Sequence, residues 1–293
     1  MKQLVILSGK GGTGKTSVAA SLAHLASQEL NLVLADADVD ASNLDLVLDP
    51  TRRETHDFAG GKGAVIDPAA CTACGICAGV CRFEAIVPGE AAYRVDDLAC
   101  EGCATCFYQC PVEAIRMAVR QDGEWFRSRT RFGPLFHAHL FAGRENSGKL
   151  VTQVRQAARA LAQERAVDLI LVDGPPGIGC PVIAACTGMD LALLVVEPTV
   201  SGVHDLERIL ATTTHFGVPA MVAINKADLN VDHSERIIAY CRDEGIPVAG
   251  RVPYDTVVTE AMVQGQPVTT YGAGEVAQAM VALWQRVKER VLA

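Results

Sequence analysis

The sequence predicts an α/β protein in which a mainly parallel sheet, flanked by helices, is interrupted by a small α+β domain. Short apolar runs alternate with helical patterns before residue 57 and after about residue 125, and this alternation is typical of βαβ units. Eight of the 11 cysteines lie between those two segments. We therefore expect one discontinuous domain, residues 1–57 and 126–293, with residues 58–125 inserted into it.

Strands and helices are predicted outside the insert from runs and periodicity. The candidate strands are Leu4–Leu7, Leu32–Ala35, Leu135–Leu140, Leu169–Val172, Leu191–Val196 and Met221–Ile224. The helical patterns are Lys15–Gln28, Lys149–Gln163, Val203–His215, Ser234–Glu244 and Glu275–Leu292. The insert should leave the sheet domain after the second strand, with its two ends close together on the surface.

Composition and charge narrow the class of protein. The net charge is −8 over 293 residues, and no run of basic residues occurs, so a nucleic-acid surface is not expected. The apolar runs are far shorter than the roughly 20 residues of a membrane span. Because most cysteines have ligand spacing, we expect a reducing, cytoplasmic setting and no export.

The insert contains the same cysteine pattern twice. Each copy reads C-x2-C-x2-C-x3-C, the bacterial ferredoxin spacing in which the fourth cysteine serves the other [4Fe–4S] cluster. Zinc is the alternative, although paired zinc knuckles would leave the third and fourth cysteines of each run unexplained. The first cluster would take Cys71, Cys74, Cys77 and Cys110, and the second Cys100, Cys103, Cys106 and Cys81.

The two copies differ in charge. Arg82 follows Cys81 at the position where Pro111 follows Cys110. We expect this cation to raise the reduction potential of the cluster that Cys81 ligates.

A glycine-rich loop follows the first strand and begins the first helix. Residues 9–16 read GKGGTGKT, which fits G-x-x-x-x-G-K-[ST] in the strand-to-helix context of a P-loop. Its amides and the helix N-terminus favour phosphate, with Lys15 reaching the β- and γ-phosphates of ATP and Thr16 binding Mg²⁺. The predicted nucleotide-binding residues of the loop are Gly11, Gly12, Thr13, Gly14, Lys15, Thr16 and Ser17.

Lys10 is a second lysine inside this loop. With it, the loop resembles the deviant Walker A motif of the MinD/Mrp, ParA and nitrogenase iron-protein group of P-loop ATPases. The resemblance implies a dimer that sandwiches ATP, with Lys10 acting on the nucleotide held by the partner subunit. That partner would be a second copy of the chain or a paralogue.

Further segments match the same group. The resemblance implies that Asp38, after the second strand, orients the attacking water and contacts Mg²⁺, while Asp36 and Asp40 could be metal-shell or solvated residues. Asp173, which follows the strand 169–172, would hold Mg²⁺ through water. The remaining implied contacts are the Gly177 amide to the γ-phosphate and Asn225, Pro253 and Tyr254 to the base. Asp228 completes an NKxD pattern, which in other P-loop proteins selects guanine. The sequence alone therefore leaves open whether the nucleotide is ATP or GTP.

Taken together, the chain resembles a MinD-like ATPase that carries an inserted two-cluster ferredoxin domain. The leading hypothesis is an ATP-hydrolysing dimer in which nucleotide state gates electron transfer from two [4Fe–4S] clusters to a redox partner protein. Iron–sulfur cluster assembly or delivery is one alternative, and a spatial organiser resembling the cell-division members is another. Membrane binding is not expected, because the C-terminal helix has a single apolar stripe suited to packing on the sheet.

Overall fold

The computed structural model describes residues 1–144 and 147–293, apart from the side chain of Arg52. These residues form two compact units, which we call the sheet unit and the cysteine unit. The sheet unit comprises Met1–His56, Trp125–His139 and Ser147–Ala293. The cysteine unit comprises Asp57–Glu124 and, of the described residues, 140–144.

Nine strands form one sheet in the order β13-β12-β11-β1-β10-β2-β9-β8-β3. The strands are β1 (Lys2–Ser8), β2 (Leu32–Asp36), β3 (Arg52–Phe58), β8 (Gly123–Thr130), β9 (Gly133–Leu140), β10 (Leu169–Pro176), β11 (Leu191–Val196), β12 (Ala220–Asn225) and β13 (Val248–Val252). From β13 to β9, every pair of neighbours is parallel. This confirms the predicted, mainly parallel sheet.

The central strand β1 fixes which residues meet at one edge of the sheet. Val5 lies opposite Val172 of β10 and Ala192 of β11. Because the three strands are parallel, their carboxyl ends emerge side by side. The loop after β1 therefore lies beside the residues that follow β10 and β11.

Helices cover both faces of the sheet. They are α1 (Lys15–Ser27), α2 (Leu44–Leu48), α5 (Ser147–Glu164), α6 (Cys180–Cys186), α7 (Gly202–His215), α8 (Val231–Asp243), α9 (Val257–Val263), α10 (Val268–Tyr271) and α11 (Glu275–Leu292). Leu4 and Ile6 of β1 pack in one core with α1, α2 and α11. Val5 and Leu7 point the other way and are also fully buried, as the alternation of a strand requires.

The apolar stripe of α11 is part of that core. Val276, Met280, Leu283 and Val287 are at most 1% exposed. Trp284 is equally buried, and its indole nitrogen donates to Glu29 Oε1 over 2.8 Å. The stripe is therefore used in packing. Among the described residues, no helix combines the length and hydropathy that crossing a bilayer requires.

The cysteine unit is built from two small antiparallel pairs and two one-turn helices. Its elements are β4 (Gly61–Ile66) paired with β7 (Ile115–Arg120), β5 (Ile86–Pro88) paired with β6 (Tyr93–Val95), α3 (Ile76–Gly79) and α4 (Thr105–Tyr108). Its buried core consists of Ala64, Cys77, Ile86, Cys106 and Ile115. Two of these five side chains are predicted ligands.

Three expectations differ from the structure. The chain leaves the sheet unit within a third strand, β3, and re-enters within β8, so these polar strands extend the sheet. Strand β10 continues through the glycine turn expected after Asp173 and ends at Pro176. Described residues 140–144 group with the cysteine unit, although the sequence assigned them to the sheet domain.

Candidate functional site

Glycines determine the shape of the P-loop and leave its backbone uncovered. Gly14 caps α1 with φ 87°, a left-handed conformation that favours glycine. A Cβ at Gly14 would also collide with the side-chain amide of Asn225. Gly11 and Gly12 have open space on their Cβ side, so the loop presents bare backbone to its surroundings.

A cavity of about 990 Å³ opens next to this loop, a size that suits a nucleotide. It joins the loop to the segment after β2, to the end of β10 and to the loop before α9. The sequence-predicted residues that line it are Gly11, Gly12, Gly14, Lys15, Thr16, Ser17, Asp38, Asn225, Pro253 and Tyr254. Lys10, Thr13, Asp173 and Gly177 do not line it.

Two carboxylates interact with the buried lysine of the loop, and a third, Asp36, interacts with both of them. Lys15 is 6% exposed, and its charge acts on both Asp38 and Asp173. Burial, followed by the charge of Asp36, raises the pKa of Asp173 to about 8. Burial is also the main reason why the pKa of Asp38 is raised, against the lowering effect of Lys15. One cation therefore faces more negative charge than it can neutralise.

Asp173 fits a Mg²⁺ ligand. It is 1% exposed, and neither carboxylate oxygen has a hydrogen-bond partner among the described residues. The Thr16 hydroxyl lowers the pKa of Asp173 but does not reach hydrogen-bonding geometry. Unpartnered buried carboxylates are costly without a cation. A carboxylate and a hydroxyl are oxygen ligands that suit Mg²⁺.

Asp36 organises the loop that carries Asp38. It is fully buried, and its carboxylate accepts hydrogen bonds from the Asp38 amide at 3.0 Å, the Ser42 hydroxyl at 2.8 Å and the Leu44 amide at 3.0 Å. Burial raises the pKa of Asp36. Of the two roles considered for this residue, the solvated one is wrong, because Asp36 serves as a buried cap for the loop and the start of α2.

Lys10 is held by its own chain. Its ammonium donates to Thr199 Oγ1 over 2.9 Å and lies 3.8 Å from Glu197 and 4.0 Å from Asp205. Glu197 and Thr199 directly follow β11, whose carboxyl end lies beside the P-loop. Sequence analysis did not anticipate a partner for Lys10 within the chain, because this contact depends on the order of the strands in the sheet.

The amide of Gly177 is also engaged. It donates to the Ser8 carbonyl over 2.9 Å, and Gly177 has φ 89°. Because each backbone amide has one proton to donate, this bond must open before the amide can reach a phosphate. The predicted γ-phosphate contact therefore requires a rearrangement of the segment after β10.

At the base end, several residues predicted to contact the nucleotide make hydrogen bonds within the chain. Asn225 Nδ2 donates to the Thr13 carbonyl over 2.8 Å, and Ser17 Oγ donates to Met262 Sδ over 3.2 Å. Asp228 Oδ1 accepts a hydrogen bond from the Tyr254 amide at 2.6 Å. Asp228 thus positions the Pro253–Tyr254 loop, a role that sequence analysis did not anticipate.

The structure separates the eight clustered cysteines into two sets of four. One small cavity is lined by Cys71, Cys74, Cys77 and Cys110, and another by Cys81, Cys100, Cys103 and Cys106. These are the two sets given by the ferredoxin spacing. Within residues 1–144 and 147–293, no three His, Cys, Asp or Glu side chains form a group with the geometry to hold a metal ion.

The cysteine loops repeat each other in backbone geometry. Cys71 donates its amide to Asp67 and Cys100 to Asp96, each over 3.0 Å. Positive φ values recur at equivalent positions of the two copies. The angle is 54° at Ala73 and 66° at Gly102, and it is 77° at Gly75 and 63° at Ala104. Glu84 and Glu113 both have 53°. Such angles are unfavourable for residues other than glycine. The two loops are therefore shaped alike at a local energetic cost.

Comparison with known proteins assigns the nucleotide site to a family. Residues 4–268 match the model of the CobQ/CobB/MinD/ParA nucleotide binding domain. The chain belongs to this family. The predictions of a MinD/ParA-type P-loop protein and of ATPase activity are thereby confirmed.

Relatives and solved structures agree with this assignment. An uncharacterized protein of Methanocaldococcus jannaschii is 38% identical over 228 residues, covering 78% of this chain and 79% of that protein. The septum site-determining protein MinD of Buchnera aphidicola is 25% identical over 281 residues, covering 90% and 83%. The structure of MinD complexed with Mg-ADP from Pyrococcus horikoshii has a TM-score of 0.62 at 19% identity, covering 98% and 96%. That likeness establishes the fold.

Sequence analysis of this MinD/ParA-type ATPase missed Glu197 and Thr199 and did not anticipate the structural role of Asp228, and all three residues share one position. Glu197, Thr199 and Asp228 follow β11 or β12 at the same edge of the sheet as the P-loop. The signal was available in principle, because polar residues after neighbouring parallel strands converge at that edge. Using it required the order of strands, which a single sequence does not provide.

Proposed function

We propose that this ATPase works as a dimeric switch in which nucleotide state controls the cysteine unit. The observation that carries the proposal is the placement of the two loop lysines. Lys15 is buried at the nucleotide cavity, whereas Lys10 lies outside its lining, on Thr199 and Glu197. Because the Lys10 ammonium is held beside the nucleotide cavity of its own subunit and not inside it, Lys10 is available to a nucleotide on another subunit.

In this proposal, each residue around the cavity has a defined task. The P-loop amides and Lys15 bind the phosphates, and Asp38 orients the water that attacks the γ-phosphate. Thr16 and Asp173 would hold Mg²⁺, which neutralises phosphate charge when bound. Lys10 leaves Thr199 and stabilises the charge that develops on the partner's nucleotide, as a positive residue supplied across an interface does in other P-loop enzymes.

A mixing experiment tests the action of Lys10 across the dimer. Lys10→Ala and Asp38→Ala should each abolish hydrolysis. In a mixed dimer, the subunit with an intact Asp38 receives Lys10 from its partner, so an equal mixture should regain roughly a quarter of the wild-type rate by random assortment. If Lys10 acts within its own subunit, the mixture stays inactive, and the proposal is wrong.

The switch is transmitted along the chain in this proposal. The Asp36-anchored loop leads through α2 into β3, where the chain enters the cysteine unit. Order that a γ-phosphate imposes at Asp38 and Gly177 would pass along this covalent connection. The Gly177–Ser8 hydrogen bond is a two-state element for such a transition, because ATP competes for the same amide.

We further propose that the cysteine unit carries two [4Fe–4S] clusters and that its output is electron transfer. The support is the agreement between the C-x2-C-x2-C-x3-C spacing and the two four-thiol cavities. When bound, such clusters supply one-electron redox chemistry. Four protein thiols for each cluster leave no open position, which favours a permanent carrier over cluster delivery.

Anaerobic analysis separates these outputs. Purified protein should contain iron and sulfide, and its reduced form should donate electrons to an acceptor protein at different rates with ATP and with ADP. Equal rates in both nucleotides would remove the gating. Transfer of iron to an apo-acceptor protein would instead support cluster delivery, and stoichiometric zinc would rule out both.

The relatives named MinD favour a second candidate, a spatial organiser whose ATP state controls association with membranes or polymers. Sedimentation with liposomes in ATP, compared with ADP and with Lys15→Ala, tests it. Truncation before Glu275 is unsuitable as a control, because it removes the buried residues of α11 from the core. ATP-dependent sedimentation that Lys15→Ala abolishes would support the organiser.

A further inference from the structure

A second large cavity lies in the sheet unit, away from the nucleotide site. It has a volume of about 730 Å³ and is bounded by the end of α1, the β8–β9 turn and the segment after α5. It shares no lining residue with the nucleotide cavity. Four arginines line it, Arg127, Arg129, Arg131 and Arg165, and the one carboxylate among its lining residues is Glu54.

Strand geometry concentrates the positive charge. Arg127 and Arg129 lie two residues apart on β8, so their side chains point to the same face. Arg131 follows in the β8–β9 turn, and Arg165 comes from the end of α5. Charged side chains often protect the edge of a sheet, but the edge strand here is β3 and not β8. Edge protection therefore does not account for these arginines.

Much of the positive charge of these arginines is not neutralised within the protein. Arg127 lies 3.9 Å from Glu54, beyond hydrogen-bonding distance, whereas Arg131 is tethered by a 2.7 Å bond to the Gly265 carbonyl. The exposed side chains of Arg129 and Arg165 have no hydrogen-bond or ion-pair partner in the described parts of the chain. Because the lining has one carboxylate, Glu54, for four guanidinium groups, these groups repel one another, and a bound anion would relieve this.

The turn that presents the arginines is held in place. Thr130 Oγ1 donates to the Gly133 carbonyl over 2.8 Å and accepts from the Phe132 amide at 3.2 Å. Gly133 has φ 146°, and a Cβ there would lie 2.9 Å from the Leu32 carbonyl oxygen. A fixed turn keeps the guanidinium groups around the cavity and lowers the entropy lost on binding.

We propose that this cavity binds a small organic anion with two or more phosphate or carboxylate groups. The planar guanidinium fork pairs with such groups through two parallel hydrogen bonds. Leu30, Phe132, Pro134 and Val167 add an apolar wall for the organic part of the ligand. The volume lies within the range of small-molecule sites, about 300–1,000 Å³.

Calorimetric titration tests the site with the P-loop occupied by Mg-ADP. The probes are fructose 1,6-bisphosphate and tricarballylate, which separate phosphate from carboxylate recognition. We expect the wild-type protein to bind at least one of them saturably, and the double variant Arg129→Ala with Arg165→Ala to weaken binding by about tenfold or more. Both arginines are exposed, so the fold should survive their loss.

Arg236→Ala is the matched control, because Arg236 is an exposed arginine on α8 outside the cavity lining. It should bind as the wild type does. The proposal is overturned if neither probe saturates, if the double variant binds unchanged, or if Arg236→Ala weakens binding equally. A polyglutamate peptide is the last arm, and binding of that peptide alone would identify a protein-docking surface and overturn the small-ligand site.

Discussion

The sheet unit and the cysteine unit hold their reactive groups in opposite ways. In the sheet unit, Lys15 and Asp173 are added to a large apolar core that is complete without them. In the cysteine unit, Cys77 and Cys106 are two of the five buried side chains that make the core. A small core built from ligands depends on the ligated group for its stability. The sheet unit should therefore fold on its own, and the cysteine unit should not.

Left-handed backbone is concentrated in the cysteine unit but not confined to it, because Asp49, Ala166 and Lys226 of the sheet unit also have positive φ values. Ala73, Ala104, Glu84 and Glu113 have left-handed φ values in the cysteine loops, and each such residue stores about 1–3 kcal/mol. The sheet unit carries an electrostatic stress in addition, because the carboxylate of Asp173 is buried without a hydrogen-bond partner among the described residues. Bound iron–sulfur clusters would offset the first, and Mg²⁺ would offset the second.

The largest expected effect comes from substituting Cys77 and Cys106, the two buried cysteines of the proposed cluster sites. Cys77→Ser combined with Cys106→Ser should eliminate cluster iron and make residues 57–124 sensitive to protease, while ATP binding persists. Iron analysis, limited proteolysis and nucleotide titration measure these three results. Cys180→Ser is the control, because Cys180 is exposed in the sheet unit. Loss of ATP binding in the double variant would break the comparison between the units.

Asp173→Asn probes the electrostatic stress of the sheet unit. Hydrolysis should fall by about 100-fold or more, because the residue proposed to hold Mg²⁺ is lost. Without Mg²⁺, however, the variant should be more stable by about 1–3 kcal/mol near neutral pH, because it removes a buried carboxyl that is ionised in the unfolded chain and must take up a proton on folding. Urea unfolding in EDTA measures the change, and Asp243→Asn, at an exposed residue, is the control.

The stability difference between Asp173→Asn and the wild type should depend on pH with a definite sign. A carboxyl whose folded pKa is raised contributes stability at low pH that is lost as pH rises through that pKa. For Asp173 this window runs from 3.8 to about 8, so the advantage of Asp173→Asn should grow with pH across it. A variant that is less stable than the wild type in EDTA would contradict the assigned stress.

The sequence was sufficient for the parts that depend on local pattern. Apart from β13, the strands of the parallel core are buried apolar runs, and the helices α5, α7, α8 and α11 span at least three turns with clear periodicity. The P-loop and the cysteine repeats were identifiable because their spacing carries the chemistry. Both depend on residues that are close together along the chain.

The parts that were missed depend on residues far apart or on weak local signals. Strands β3 and β8 carry charged residues on an outer part of the sheet, so no apolar run marks them. Helices α2, α9 and α10 are too short for periodicity to be read. The bonds of Lys10 to Thr199 and of Asp228 to Tyr254 join segments that only the folded sheet brings together.

His137 sharpens the comparison, because it shows how the sheet unit tolerates a buried polar group that has a partner. Its Nε2 lies 3.0 Å from Ser128 Oγ. Burial lowers the pKa of His137 to about 4, opposed by Asp45 and assisted by Arg53. The ring is therefore neutral in the folded protein at neutral pH, where the Ser128 contact satisfies it.

The expected consequence is a loss of stability in mild acid. Between pH 6.5 and about 4, the unfolded chain protonates this histidine and the folded protein does not, so the free energy of unfolding falls as pH decreases. His137→Gln should remove this pH dependence of the free energy of unfolding, which in the wild type amounts to on the order of 2 kcal/mol across the range. Denaturant titrations across this range measure it. The exposed His204→Gln is the control, and an equal change there would contradict the assignment.

The smallest expected effect distinguishes the two cysteine sets within their own unit. The Thr105 hydroxyl and then the charge of Arg82 lower the pKa of the Cys103 thiol, so the second set lies in a more positive field. Arg82→Ala should lower the reduction potential of one cluster and leave the other unchanged. A redox titration followed by electron paramagnetic resonance resolves the two, with Arg116→Ala, exposed on β7, as the control. Equal shifts of both clusters would mean that Arg82 acts through the general charge of the unit, and the two sites would then be electrostatically equivalent despite their different sequences.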